Sequence, residues 1–151
     1  MRPTREAAIA ALWIFLQSLV LPNGMSWGER QRGLKQVDQV PPGNQPAMFL
    51  QQGPQRTAGR REHGVQTWEY TNALLIYFRC EKNSLTEDWG FANTLLDSLE
   101  TLLAPQIMTM YQTLNGVVHD CYIDGEIGLY ENMDDENQAV LFVPITILSG
   151  I

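Results

Sequence analysis

Apolar residues at Ala8, Leu12, Phe15, Leu16 and Leu19 recur at helical spacing and predict a helix from Arg5 to Val20. Thr4 is placed to cap it, Glu6 sits in its first turn, and Pro22-Asn23-Gly24 ends it. Its other side carries Ala7, Ala10, Ala11, Ile14 and Ser18, a back of small residues with one large apolar one. Such a surface suits either a contact with another subunit or burial within the chain. A second stripe, Ala92, Leu95, Leu96, Leu99, Leu102 and Leu103, predicts a helix that Thr86 caps and Pro105 stops.

Elsewhere the period falls to two. In Val65–Arg79, Trp68, Tyr70, Leu74, Ile76 and Phe78 fall on one face of a strand. Ala73, Leu75 and Tyr77 fall on the other, so both faces are apolar towards its end. Ala47–Gln51 predicts a short strand and Met25–Arg32 a weaker one, joined by a Gly33–Gln45 loop that contains Pro41-Pro42-Gly43. Gly53–Gly64 has no apolar period and predicts a long exposed basic loop holding Arg56, Arg60 and Arg61. Together with Val65–Arg79 it predicts a hairpin projecting beyond the body. Thr113–Val118 is short and mixed, and Cys121–Tyr130 alternates as one half-buried strand. Glu131–Asn137 is an acidic turn. Ala139–Leu148 is a near-continuous apolar strand in which Pro144 marks an edge or a bulge. Clustered strands with few crossover helices predict an α+β fold: a mostly antiparallel or mixed sheet with two main helices packed on it. The chain's 151 residues suffice for one domain with its own core.

Charge changes this picture more than composition does. All ten Lys and Arg lie between Arg2 and Lys82, a stretch of net +4, while Asn83–Ile151 carries eleven acids and no cation. The overall charge of −7 argues against a dedicated nucleic-acid binder. The asymmetry between halves predicts an electrostatic interaction surface, unless the fold intermixes the halves. Arg2 and Arg5 before an apolar run resemble the start of a signal peptide. Glu6, the interruption at Gln17-Ser18 and the lack of an A-x-A site argue against that, and the run is too short to span a membrane.

Candidate chemistry is sparse. Cys80 and Cys121 make no CxxC motif. Extended backbone would put His119 and Cys121 on one face, the minimum for a Cys–His nucleophile pair or part of a zinc site; only Cys80 and His63 could add the two further N or S ligands, and nothing in the spacing demands it. A small metal-dependent enzyme built on these two residues is therefore an alternative from another class. Glu131, Asp134, Asp135 and Glu136 lack the order of a calcium loop, and no glycine-rich phosphate loop is present. No residue pattern calls for a cofactor.

Several stretches, in order, resemble one family. Gln45-Pro46-Ala47-Met48-Phe49-Leu50 is similar to a QPALF-type strand, and Leu95–Pro105 to a second helix with its proline stop. Gln112-Thr113-Leu114-Asn115-Gly116-Val117-Val118-His119-Asp120 is similar to a QTLGG-V-H segment, continued by Gly125 and Glu126. Gln138-Ala139-Val140 through Val143-Pro144-Ile145-Thr146-Ile147 resembles a closing strand. The family is that of the tail terminator, or minor tail, proteins of long-tailed bacteriophages, and the likeness runs over most of the chain. Two departures stand out. Asn115 replaces a second glycine, although Asn tolerates a left-handed turn better than most residues. Arg30–Val40 keeps little of the family's basic and aromatic run.

The resemblance implies a single tail-terminator-like domain over 1–151 that forms a six-fold ring at the head-proximal end of the virion tail, assembled in the host cytoplasm. The ring caps the tail tube, stops its polymerisation and offers the head–tail joining surface. Its expected partners are other copies of itself, the tail tube protein and the head–tail connector. DNA passes through without sequence-specific contact, and no membrane, catalysis or cofactor is involved. A head-closure, neck or tail-completion protein of related ring architecture is the neighbouring alternative. The candidate assembly residues are Arg56, Arg60 and Arg61 on the basic loop, Asp134, Asp135 and Glu136 on the acidic turn, and Ala7, Ala11 and Ile14 on the helix back. Opposite charge on two faces would set the register of a head-to-tail ring.

Overall fold

The computed structural model describes residues 4–36, 39–57, 66–79, 85–133 and 138–149. Helix α1 spans Arg5–Gln17, and the Thr4 hydroxyl accepts from the Ala7 amide at its start. It ends three residues before the expected Val20, where Ser18 turns back onto the Phe15 carbonyl. Helix α2 spans Leu85–Leu102. It already includes Thr86, which is therefore not the cap expected of it; residues 80–84 lie outside the described residues.

Six strands follow in the order β1 (Glu29–Arg32), β2 (Ala47–Thr57), β3 (Trp68–Arg79), β4 (Asp120–Ile123), β5 (Gly128–Met133) and β6 (Gln138–Ser149). They form one mixed sheet, β1-β2-β3-β6-β4, with β5 also on β6. Only β1 and β2 run parallel. The architecture is thus the α+β class expected from the sequence.

Both helices pack on one sheet face. Ala8, Leu12 and Leu16 of α1 and Ala92, Leu95 and Leu99 of α2 share a core with Tyr70, Leu74, Ile76 and Phe78 of β3. These four lie on the face that alternation assigned. The opposite face has a smaller cluster, Val40, Ala47, Phe49, Tyr77 and Val140. There the Tyr77 hydroxyl donates to the Lys35 carbonyl, which explains an apolar residue on both sides of β3 at this end.

Three expectations are corrected. Gly53–Thr57 is not loop but the second half of β2. Gly53-Pro54 lies at a bulge in the β2–β3 register, between Gln52 and Gln55, where a proline does no harm to the ladder. A β-carbon on Gly53 would sit 2.8 Å from the Thr71 carbonyl oxygen, so glycine is what lets the strands approach. The paired part of this hairpin is bordered by β6 as far as Trp68, and its tip, 58–65, lies outside the described residues.

Cys121–Tyr130 is not one strand but two, and Pro144 accounts for the break. The Asp124 amide donates to the Pro144 carbonyl at 3.1 Å, so the amide that proline lacks falls on the β4–β5 side. The ladder parts there at Gly125, with φ of +121° and its missing β-carbon 3.2 Å from the Pro144 ring. Finally, β6 is no edge. It has β3 along one side and β4 and β5 along the other. Among the described residues, the unpaired sheet edges are β1 and β4–β5.

Candidate assembly interface

Of the helix-back residues, Ala7 and Ile14 are exposed, Ile14 at 65%, but Ala11 is buried at 9%. The buried arc of α1, Ala8, Ile9, Ala11, Leu12 and Leu16, is wider than the stripe read from periodicity. Ala11 is thus a core residue and is withdrawn as an interface candidate. The tail of α1 and the flank of α2 border a groove of about 440 Å³ lined by Leu19, Val20, Ser98 and Leu102.

Arg56 is exposed, but it sits in strand β2 and is committed to Glu69 of β3, with Nε donating to Oε2 at 2.9 Å. That hydrogen bond and charge raise the Arg56 pKa above its usual value. Two other cations of the first half are also paired within that half: Arg32 with Glu6, whose carboxyl is held below its usual range by the hydrogen bond from Arg32, and Lys35 with Glu29. The free basic loop expected to present Arg56 is therefore not present there. Arg60, Arg61, Asp134, Asp135 and Glu136 lie outside the described residues. Within the sheet the strands of the two halves segregate, although both helices share one core and the charge of Arg56 reaches Asp124. β1, β2 and β3 of the cationic half form one side of the sheet, and β6, β4 and β5 of the acidic half the other.

His119 and Cys121 are not brought together. His119 is exposed and stacks on Tyr111, with ring centroids 4.7 Å apart. Cys121 is 1% exposed within the core, and burial, then the charge of Asp120, pushes its thiol from 9.0 up to about 12. A thiol held neutral in this way is a poor nucleophile. Among the described residues, no three of His, Cys, Asp and Glu gather as metal ligands. In a Cys80→Ser variant, Cys121 should therefore react with a thiol reagent near neutral pH only as fast as the chain unfolds. Fast labelling of the native protein would contradict its burial. The raised value also sets a sign. The unfolded chain ionises this thiol above about pH 9 while the folded one keeps its proton, so stability falls as pH climbs from 9.0 to about 12.

The surface that sequence reasoning missed follows α2. Ile107, Met108 and Met110 are 95%, 94% and 78% exposed. They ride on a turn closed by backbone bonds from Gln106 to the Tyr111 carbonyl (2.9 Å) and from Met110 to the Gln106 carbonyl (2.8 Å). Thr109 Oγ1 donates to the Tyr111 carbonyl, and Thr113 Oγ1 donates to Gln106 Oε1. Buried Gln112 anchors the base. Its side chain donates to the Ala104 carbonyl at 2.8 Å, and its amide donates to Asp120 Oδ1 at 3.0 Å. Met110, Leu114 and Asn115 all have positive φ, and Asn115 at +62° occupies the left-handed conformation expected of it. A left-handed non-glycine residue costs energy that the surrounding bonds must hold; in the Gln106–Tyr111 turn that residue is Met110, while Leu114 and Asn115 belong to the turn that follows. A sequence signal existed: Ile107-Met108-Thr109-Met110-Tyr111 is apolar but follows neither period, so no helix or strand is available to bury it.

No family model and no curated protein matches the chain.

Proposed function

We propose that this chain is a ring-forming virion structural subunit, a tail terminator that caps the tail tube, stops its polymerisation and provides the head–tail joining surface. The ordered likeness to that family supports the kind of assembly. The observation that carries an assembly role is the Gln106–Tyr111 turn. It holds Ile107, Met108 and Met110 outward on a hydrogen-bonded frame. Each side chain of this size forgoes about 1.5–3 kcal/mol while it stays in water. Neighbouring exposed apolar side chains on a hydrogen-bonded support suit a protein-docking surface. The tube end is the partner that would cover it. The net charge of −7 also suits a ring through which DNA must pass without sticking, since phosphate binding draws on cations.

The test is direct. Purified protein is weighed in solution, imaged by electron microscopy, and added to growing tail tubes. Rings that sit on one tube end and halt growth are expected. Rings that bind portal or head ends but ignore tubes would make the chain a head-closure or neck protein. A chain that stays monomeric and leaves tube growth unchanged would overturn the proposal.

A further inference from the structure

We infer that two copies of this chain meet through unlike sheet edges, β1 of one beside β4–β5 of the next. This rests on the ring reading above and says which surfaces close the ring. Among the described residues, no strand borders the outer side of β1 or of β4–β5. Free edges are normally guarded by charge, which keeps them from pairing at random. Here the two guards have opposite sign. Segment 29–35 holds three cations and one acid, and with Arg32 paired to Glu6 and Lys35 to Glu29 it keeps a net positive charge at Arg30; segment 120–126 holds three acids and no cation, and stays net negative although Arg56 lies near Asp124. Arg30 and Arg32 on the first edge are exposed, as are Asp124 and Glu126 on the second. Two β1 edges repel each other, and so do two β4–β5 edges. Only the unlike pairing is attractive, which selects a head-to-tail contact over a two-fold dimer.

Strand direction agrees. β1, β2 and β6 run one way, and β3, β4 and β5 the other. Rotation about an axis lying roughly along the strands preserves direction. The neighbour's β1 then arrives antiparallel to β4–β5, the more stable of the two ladder geometries per residue.

The experiment reverses each edge separately. One variant carries Arg30→Glu and Arg32→Glu; the other carries Asp124→Lys and Glu126→Lys. Each alone should need at least about ten-fold more protein to form rings, because it faces like charge at every interface. Mixed in equal amounts they should assemble as readily as wild type, in rings where the two alternate and every contact is again unlike. The four-fold variant should assemble alone. Wild-type rings should weaken as salt rises to 1 M, where the screening length shrinks to about 3 Å. Melting temperature checks that each variant is folded, and Arg30→Glu with Glu126→Arg repeats the exchange while sparing the Arg32–Glu6 pair. Wild-type rings with single variants that also assemble normally, or mixtures that fail to recover, would overturn the edge contact alone. A wild-type chain that never forms rings would overturn the ring reading and the edge contact together.

Discussion

A chain carrying Ile107→Asp, Met108→Asp and Met110→Asp should melt like wild type yet lose its hold on the tail tube. The three side chains are almost wholly exposed, so their removal takes nothing from the core. The frame that holds them is made by the backbone of Gln106, Met110 and Tyr111 and by the side chains of Thr109, Thr113 and Gln112, all of which remain. If a partner covers all three, burying them contributes roughly 4–9 kcal/mol per subunit. Even the lower end is worth about a thousand-fold in affinity. Charge introduced at the same points adds desolvation cost to that loss. Sedimentation reads ring formation, and electron microscopy of tube ends reads capping. The expected result is rings without caps, because the lateral contact proposed above uses the sheet edges and not this turn. A variant that caps tubes as well as wild type would show that the turn is not the docking surface.

Leu74→Ala should destabilise the fold by about 2–5 kcal/mol, and Leu75→Ala by well under half as much. The two residues are neighbours in β3 and chemically identical. Leu74 is fully buried between the sheet and the helices, whereas Leu75 is only partly buried against the small cluster on the opposite face. Truncating Leu74 leaves a cavity that two helices and a sheet cannot close; truncating Leu75 opens onto a surface that solvent already reaches. For a chain of 151 residues each kcal/mol moves Tm by roughly 2–4 °C. Thermal melts of the two variants suffice. Equal shifts would mean that both faces of β3 are covered alike, contrary to a sheet with helices on one side.

By itself the sequence determined what is local or periodic. Thr4 caps α1 because its hydroxyl reaches an amide three residues on, whatever surrounds it. Ala92, Leu95 and Leu99 face the core because a helix places them on one side. Tyr70, Leu74, Ile76 and Phe78 share a face because a strand alternates. Asn115 takes a left-handed turn because its short polar side chain tolerates it. The tertiary structure decided everything that depends on a neighbour far along the chain. Gly53-Pro54 looks like a stop, yet β2 continues because the Thr71 backbone comes close enough to pair around a bulge. Pro144 marks an edge or a bulge by sequence alone; β6 is central, and the irregularity lies in the neighbouring strand, where the missing amide divides β4 from β5. Ala11 looks like the back of a helix, yet the core on that side reaches far enough to bury it. Ile107, Met108 and Met110 follow neither period and support no reading from the sequence, and among the described residues no element covers them. Periodicity reports that a face is buried but not what buries it. Register, edge and exposure are properties of pairs of segments, and only folding brings the pairs together.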